Sequence, residues 1–214
     1  MYNHDTKAIF IHIPKTAGLS IRNCLSNNGF NHKGHVSNFY KRDTTISTRH
    51  QPCKFLKKNY IENYFKFCFV RNPWDIVVSS FLWWKSAYDW ANRTGRGHPR
   101  KRELMKKIYT MNFSEYLKSY AGNLNEIYSN GMGQHFWILS EQDEMVVDFV
   151  GRFENLQEDF NIVCDKIGIP HQKLPHKNAT KHKHYTEYYD EETKQIVAEK
   201  YAKDIEYFGY KFGE

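Results

Sequence analysis

The chain has 214 residues, of which 40% are apolar, 16% aromatic and 26% charged. This length is sufficient for one substantial domain with its own core, and the apolar content excludes an intrinsically disordered chain. The 31 Lys and Arg residues outnumber the 24 Asp and Glu residues, which gives a formal net charge of +7. That excess favours anionic partners such as nucleotides, acidic glycans, nucleic acid or an anionic membrane, although a basic protein without such a partner also fits the charge.

The cysteines and the N-terminal segment indicate the cellular compartment. The four cysteines are widely spaced and form no C-x-x-C pair, and Cys68 and Cys164 lie in apolar segments. These two are therefore expected to be buried, reduced thiols. The polar segment 1–7 lacks the apolar stretch of a signal peptide, and no run approaches the roughly 20 apolar residues of a membrane span. The sequence thus predicts a cytoplasmic protein without a membrane span.

The first predicted element is a buried strand over Ala8–Ile13, which stops at a proline. Small and polar residues follow, and a helix-like segment begins at Ile21. A strand that ends in such a turn and opens a helix is suited to bind an anion, because the helix N-terminus has unpaired N–H groups and partial positive charge. Gly18 lets a ligand approach the backbone closely, and Lys15 adds a positive charge. The segment is interpreted as a phosphate-binding loop.

The order of residues in this loop separates it from a Walker A loop, which has the pattern G-x-x-x-x-G-K-[ST]. Here Lys15 precedes Gly18, and Leu19 follows the glycine. A magnesium-dependent NTPase also needs an Asp at the end of a neighbouring strand, whereas the later strands of this chain end near Arg71 and Arg152. The sequence therefore favours a site that neutralises phosphate directly, without a metal.

The second buried strand is predicted over Phe65–Val70, and Asp75 is suited to cap a helix over residues 76–91. Arg71 ends the strand, and Ser79 lies one turn beyond the cap. Both side chains can face the edge of an open α/β sheet, where ligands bind. An arginine and a hydroxyl group suit a terminal phosphate. An ion pair between Arg71 and Asp75, with Ser79 as a small packing residue, explains the same pattern equally well.

The remaining elements alternate between strand and helix. Residues 92–106 are basic and contain glycine, which predicts a flexible loop that leads into another helix. A third strand is predicted over Met145–Val150, shortly before Arg152, and apolar spacing predicts a helix over Leu156–Ile167. A last helix is predicted over residues 190–207. Parallel strands joined by helical crossovers are the expected arrangement.

Residues 170–189 form a polar, basic segment with few core residues. It is interpreted as a flap that closes over an anion, with a solvated loop as the alternative. Its histidines lack a further Cys or carboxylate at ligand spacing, so no metal site is predicted. The basic side chains of the segment are Lys173, Lys177, Lys181, Lys183, His171, His176, His182 and His184.

Two motifs, IPKTAGLS at residues 13–20 and FVRNPWDIVVS at residues 69–79, resemble the two cofactor-binding motifs of the sulfotransferases. The resemblance is strongest to the carbohydrate sulfotransferase branch, which includes heparan sulfate 2-O-sulfotransferases and related bacterial proteins. Segments DFVGRFENL at 148–156, HYTEYYD at 184–190 and YAKDIEYFGY at 201–210 also resemble recurrent parts of that family, in the same order along the chain.

The resemblance implies a single domain over residues 1–214 with a P-loop-like, three-layer α/β fold, in which helices flank a central, mostly parallel sheet. It implies 3′-phosphoadenosine 5′-phosphosulfate (PAPS) as the sulfuryl donor, PAP as the product and no required metal. It also implies that the acceptor is a hydroxyl group of a carbohydrate or glycoconjugate.

The resemblance also implies roles for single residues. Arg71 and Ser79 would hold the 3′-phosphate, and Arg152 would assist unless it pairs with Glu154. Leu19 stands where the family commonly has Thr, so one hydroxyl contact is lost. The 5′-phosphosulfate would be held by Lys15, Thr16, Ala17, Gly18, Leu19 and Ser20, and the cofactor-closing flap would contribute Thr180, Lys181 and Lys183.

A lysine and a histidine are the candidates for the chemical step. Sulfuryl transfer needs in-line geometry and charge stabilisation, and Lys15 is placed to neutralise the oxygen that bridges phosphorus and sulfur. The acceptor hydroxyl must lose a proton, and a histidine suits that task. His50 matches the place where the family has its base. His35 is the second candidate, and His12, within the first strand, is expected to be a core side chain.

Two other functions compete with sulfuryl transfer: an ATP-dependent small-molecule kinase and a non-catalytic module that binds anionic glycans. The order of Lys15 and Gly18 disfavours the kinase, and the retained site residues disfavour the module. Nucleic acid is not an expected partner, because no recognised motif accompanies the basic residues. The sequence sets neither the acceptor nor the oligomeric state. Aromatic residues that could stack on sugars or belong to the core include Trp83, Trp84, Trp90 and Trp137.

Overall fold

The computed structural model of the protein describes residues 1–31, 50, 52–96, 99–120, 133–140, 142–175 and 183–214. The chain divides into two compact units. The first contains Met1–Arg71 and Met132–Lys177, and the second contains Asn72–Gly131 and Asn178–Glu214. That residues 1–214 form one sulfotransferase-like domain stays a prediction.

The described part of the chain contains both strands and helices. The strands are β1 (Tyr2–Asn3), β2 (Ala8–Ile11), β3 (Phe65–Val70) and β4 (Phe149–Arg152). The helices are α1 (Gly18–Ser26), α2 (Lys58–Asn63), α3 (Pro73–Thr94), α4 (Pro99–Thr110), α5 (Phe113–Tyr120), α6 (His135–Ile138), α7 (Leu156–Ile167), α8 (Glu191–Lys200) and α9 (Ala202–Phe208).

The first unit contains the sheet, whose strands follow the order β1-β2-β3-β4. β2 pairs with β3 and β3 with β4 in parallel, whereas β1 pairs antiparallel with β2. The protein thus has an α/β fold with a mostly parallel sheet flanked by helices, as predicted. In a parallel sheet the carboxyl ends of the strands lie at one edge, so the segments that follow β2, β3 and β4 are neighbours there.

The core of the first unit lies between the sheet and helices α1 and α7. Alternate strand residues, among them Phe10, Phe67 and Phe69, share one face and pack against apolar residues of the two helices. Gly151 on β4 is opposite Phe69, and a Cβ atom at this position would lie 2.5 Å from Cε1 of that ring. Glycine therefore makes room for the phenylalanine in the core.

The second unit is built around α3. Its core includes the buried residues Trp84 of α3, Ile108 of α4, Tyr116 of α5 and Val197 of α8. The N-cap of α3 is Asn72, whose side chain accepts a hydrogen bond from the N–H of Trp74. The predicted cap, Asp75, lies instead in the first turn of the helix. The helix begins earlier than predicted because Asn72 caps it and Pro73 has the φ angle of a first helical residue.

Several other boundaries differ from the prediction. β2 ends at Ile11 instead of Ile13, and the third predicted strand begins later, at Phe149. Helices α3 and α4 cover most of the loop predicted over residues 92–106, which leaves 95–98, of which 97–98 lie outside the described residues. The predicted last helix is divided between α8 and α9 at Tyr201. Within the described ranges, no helix is long and apolar enough to cross a membrane.

Candidate active site

The turn between β2 and α1 has an unusual backbone. Lys15 and Ala17 both have left-handed φ angles, of 69° and 62°, and Ala17 is the N-cap of α1. A left-handed non-glycine residue costs about 1–2 kcal/mol, so neighbouring contacts must hold the turn. Left-handed residues in such turns direct successive N–H groups into a concave arrangement that binds anions. The start of α1 adds N–H groups that have no acceptor within the helix.

The hydroxyl groups of the loop are not equivalent. Thr16 is fully buried, and its Oγ1 donates to the carbonyl oxygen of Ile13 at 2.9 Å. This hydrogen bond stabilises the turn and uses the hydroxyl proton. The backbone N–H is therefore the donor of Thr16 that remains suited to a ligand. Ser20 is 5% exposed in the first turn of α1, whereas Leu19 is 47% exposed at the surface of the loop.

Gly18 lies directly against the ring of His12. A Cβ atom built on Gly18 would overlap Nε2 and Cδ2 of His12. The imidazole is buried and also stacks on Phe10, with ring centroids 5.7 Å apart. Glycine at this position is therefore required by the close approach of the helix start to a side chain of the preceding strand segment.

His50 is anchored to the same segment. Its Nδ1 is 2.9 Å from the carbonyl oxygen of His12, and the two rings have centroids 4.2 Å apart. A carbonyl oxygen only accepts hydrogen bonds, so Nδ1 carries the proton. In the neutral ring Nε2 therefore has the lone pair, which is the state a general base needs.

Arg71 lies at the end of β3 beside the loop. Its Nη1 donates to the carbonyl oxygen of Lys15 at 3.2 Å, and its guanidinium carbon lies 3.8 Å from the ring centroid of Phe153. The residue is 7% exposed. A cation in such a site has restricted freedom, and its contact with Lys15 helps to hold the left-handed turn. Arg152 ends β4, and its N–H donates to the carboxylate of Asp159 at 2.6 Å.

Two further predicted site residues belong to the second unit. Ser79 lies within α3 and is 9% exposed. Lys183 is exposed, and its Nζ lies 3.6 Å from the carboxylate of Glu187. The predicted residues Thr180 and Lys181, and the second candidate base His35, lie outside the described residues.

Comparison with known proteins identifies the family. The model of the family described as the sulfotransferase family matches residues 1–211. The chain belongs to the sulfotransferase family. A protein of Archaeoglobus fulgidus, described as an uncharacterized protein, is 31% identical to this sulfotransferase over 115 residues, which are 54% of this chain and 77% of that protein.

The thiols of this sulfotransferase are structural. All four cysteines are free and buried, as expected for Cys68 and Cys164. Burial raises the pKa of the Cys53 and Cys68 thiols, and it raises the pKa of Cys164 to about 11. These groups stay protonated near neutral pH, so none of them is a thiolate nucleophile.

Two residues near Arg71 were missed by the sequence analysis of this sulfotransferase. Gln134 bonds to both backbone groups of Arg71, and Phe153 lies under its guanidinium. Gln134 is 63 positions away in the sequence, in a segment with no motif, so no local signal indicated it. Phe153 directly follows Arg152, and the parallel pairing of β3 with β4 was the signal that could have found it.

Proposed function

We propose that this sulfotransferase transfers the sulfuryl group of PAPS to a hydroxyl group of a carbohydrate or glycoconjugate and releases PAP. The observation that carries the proposal is the turn at residues 15–17, where two left-handed residues precede a helix start beside the buried guanidinium of Arg71. This set of donors is cationic and rich in N–H groups, so it suits a phosphosulfate anion.

The loop would hold the 5′-phosphosulfate mainly through its backbone. The N–H groups of Ala17, Gly18 and Leu19 lie at the helix start, and Thr16 contributes its N–H because its hydroxyl is already bonded to Ile13. Side-chain contacts would come from Lys15 and Ser20. Bound PAPS supplies a sulfuryl group on a good leaving group, and the residues of the chain supply the geometry and the charge.

The second phosphate would be held by Arg71 and Ser79, with Arg152 nearby on the neighbouring strand. Arg71 suits this role because the planar guanidinium presents several N–H donors in fixed directions. The predicted flap residues Thr180, Lys181 and Lys183 would add further contacts to the nucleotide. The set contains no carboxylate, imidazole or thiolate, and we propose that turnover needs no metal.

Lys15 would stabilise the charge that develops during transfer. Transfer would break the bond from sulfur to the bridging oxygen as the acceptor oxygen bonds to sulfur, so negative charge would grow on the bridging oxygen. The ammonium group of Lys15, which lies on the strained turn, would neutralise that oxygen. A positioned cation acts most strongly where charge develops in the transition state.

His50 would accept the proton of the acceptor hydroxyl. The bond from its Nδ1 to the carbonyl oxygen of His12 leaves Nε2 as the basic nitrogen of the neutral ring. The same bond fixes the orientation of the imidazole. General-base assistance of this kind contributes about 10²–10⁴ in rate.

The positive charge of the chain and the resemblance to carbohydrate sulfotransferases support a glycan acceptor. Of the aromatic residues considered for sugar stacking, Trp84 and Trp137 are buried, whereas Trp83 is 37% and Trp90 46% exposed. The two exposed indoles are therefore the ones able to contact a sugar.

Calorimetry with PAP and with ATP tests the donor. We expect PAP to bind and ATP to bind at least tenfold more weakly, without any effect of added magnesium. Preference for ATP, or turnover that requires magnesium, would contradict the proposal and favour the kinase. Labelled PAPS with a panel of oligosaccharides, peptides and small phenols then tests the acceptor, and label on phenols alone would exclude the glycan class.

A further inference from the structure

Just after β3, the backbone forms hydrogen bonds with a side chain instead of with a neighbouring strand. The pairing of β3 with β4 stops at Val70 and Arg152, after which the chain at β4 enters a tight turn over Phe153–Asn155. Arg71 nevertheless has both backbone groups bonded. Its N–H donates to Oε1 of Gln134 at 2.8 Å, and its carbonyl oxygen accepts from Nε2 of Gln134 at 2.8 Å.

The amide of Gln134 acts here as a peptide group would in a strand. It presents one acceptor and one donor to the donor and acceptor of a single residue, and this pattern fixes the orientation of the amide. Gln134 is 3% exposed, and the next turn places Trp137 and Ile138 in the core at 1% and 0% exposure. The buried residues of this next turn therefore hold the Gln134 amide in place.

We infer that Gln134 is a positioning residue, which fixes the backbone of Arg71 and thereby the direction of its guanidinium. The inference rests on the proposed role of Arg71 in nucleotide binding. The guanidinium itself contacts the Lys15 carbonyl and the Phe153 ring. Gln134 adds a constraint on the backbone, and its loss would remove both of these buried hydrogen bonds.

The first test is Gln134→Met, which keeps the length of the side chain and removes both hydrogen-bonding groups. Calorimetry of the full chain with PAP is expected to show about tenfold weaker binding, from the loss of two buried hydrogen bonds. Val163→Ala, a core change in α7, serves as the control for lost stability and should leave PAP affinity within about twofold. Unchanged PAP affinity in folded Gln134→Met would overturn the inference.

A double-mutant cycle with Arg71→Ala separates positioning from direct binding. If Gln134 acts through Arg71, Gln134→Met has no further effect on PAP affinity once the guanidinium is absent. An equal loss of affinity in both backgrounds would overturn the inference.

Gln134→Glu gives a pH-dependent rescue. The protonated carboxyl has one acceptor and one donor, as the amide does, whereas the carboxylate only accepts. PAP affinity of this variant, relative to wild type, is expected to recover as the pH falls, and Gln134→Met should show no such recovery. A flat ratio across the pH range for Gln134→Glu would count against the inference.

Hydrogen exchange at the Arg71 amide gives a readout that does not depend on nucleotide. Slow exchange in the wild type and fast exchange in Gln134→Met is expected. Failure of the wild type to bind PAP would contradict the proposed function, and the exchange rates would still decide whether Gln134 fixes this backbone. Equal exchange in both proteins would overturn the inference.

Discussion

At the scale of single residues, Gly18 is constrained by the side chain beneath it. In Gly18→Ala the new methyl group would overlap the ring of His12, and the buried ring has little room to move. Such overpacking costs about 1–3 kcal/mol, so denaturant unfolding should show lower stability, and calorimetry should show weaker PAP binding. The double variant Gly18→Ala with His12→Ala removes the overlap and should recover part of both losses. Wild-type stability and PAP affinity in Gly18→Ala would contradict the contact.

His50 is expected to serve the chemical step without contributing to nucleotide affinity. His50→Ala should lower kcat by about 10²–10⁴ and leave the Kd for PAP unchanged. His50→Asn is the matched control, since its amide nitrogen takes the position of Nδ1 and can still donate to the His12 carbonyl, but the side chain has no basic nitrogen. Both variants should therefore lose activity to a similar extent. Full turnover by either one would exclude His50 as the base and direct attention to His35.

Leu19 is a position where a substitution is expected to tighten PAP binding. Its side chain is 47% exposed at the loop, and the resemblance to the sulfotransferase motif predicts Thr at this position. Leu19→Thr should add one hydrogen bond to the phosphosulfate, worth about 0.5–1.5 kcal/mol, and so tighten PAP binding about two- to tenfold. Leu19→Val has the same shape as the Thr variant without the hydroxyl group and should bind PAP as the wild type does. Equal affinities of the Thr and Val variants would show that no hydroxyl contact forms.

The residues of the site were predictable to different degrees. The loop could be located from the sequence because strand, turn and helix start are consecutive along the chain. The burial of the Thr16 hydroxyl could not, because its acceptor depends on the path of the turn. Gln134 could not be found either, because its contact with Arg71 joins segments 63 positions apart. The roles of the site residues stay predictions that the experiments above test.

At the scale of elements, apolar patterns located long or uniform segments well. The bounds of β3 and α7 agree with the prediction, since both have apolar runs with clear polar or glycine ends. β1 was missed, because a two-residue strand, Tyr2–Asn3, has no periodicity to recognise. The extension of α3 and the early start of α4 within residues 92–106 were missed, because the charge and glycine content of that segment outweighed a weak apolar pattern.

The N-terminal cap of α8 contributes to the stability of the protein in a way that depends on pH. The Asp190 carboxylate accepts from the N–H of Thr193, and the Thr193 hydroxyl also donates to it. These hydrogen bonds lower the pKa of Asp190 below its ordinary value. Because the pKa is lower in the folded state, the cap stabilises the protein fully above the unfolded pKa of about 3.9, and the contribution is lost as the pH falls through the folded pKa.

Asp190→Ala removes this cap and is expected to lower Tm by a few degrees at pH 7. The difference from wild type should shrink as the pH falls below about 4, because the unfolded carboxyl is protonated there before the folded one. Asp190→Asn keeps a side-chain acceptor, so its Tm at pH 7 should lie between the two. Thermal unfolding of the three proteins between pH 3 and pH 7 measures this. A Tm difference that grows toward low pH would contradict the assigned direction.

At the scale of the whole molecule, the net charge of +7 bears on the choice of acceptor. A basic protein attracts an anionic polysaccharide over distances set by the ionic strength, with a Debye length of about 30 Å at 0.01 M and about 8 Å at 0.15 M. A neutral oligosaccharide feels no such attraction. The dependence of KM on salt therefore separates a site that selects acidic glycans from one that recognises sugar rings alone.

We expect KM for an acidic polysaccharide to rise several-fold between 0.01 M and 0.15 M salt, with kcat nearly unchanged, because screening weakens encounter and ground-state binding alike. KM for a neutral oligosaccharide of the same length should change little. PAPS must be saturating at each salt concentration, since the donor is itself an anion and its binding also weakens with salt. Steady-state kinetics with both acceptors gives the comparison. If the two KM values rise in parallel, the charge of the protein does not select the acceptor. The excess of positive charge would then favour binding of the nucleotide alone.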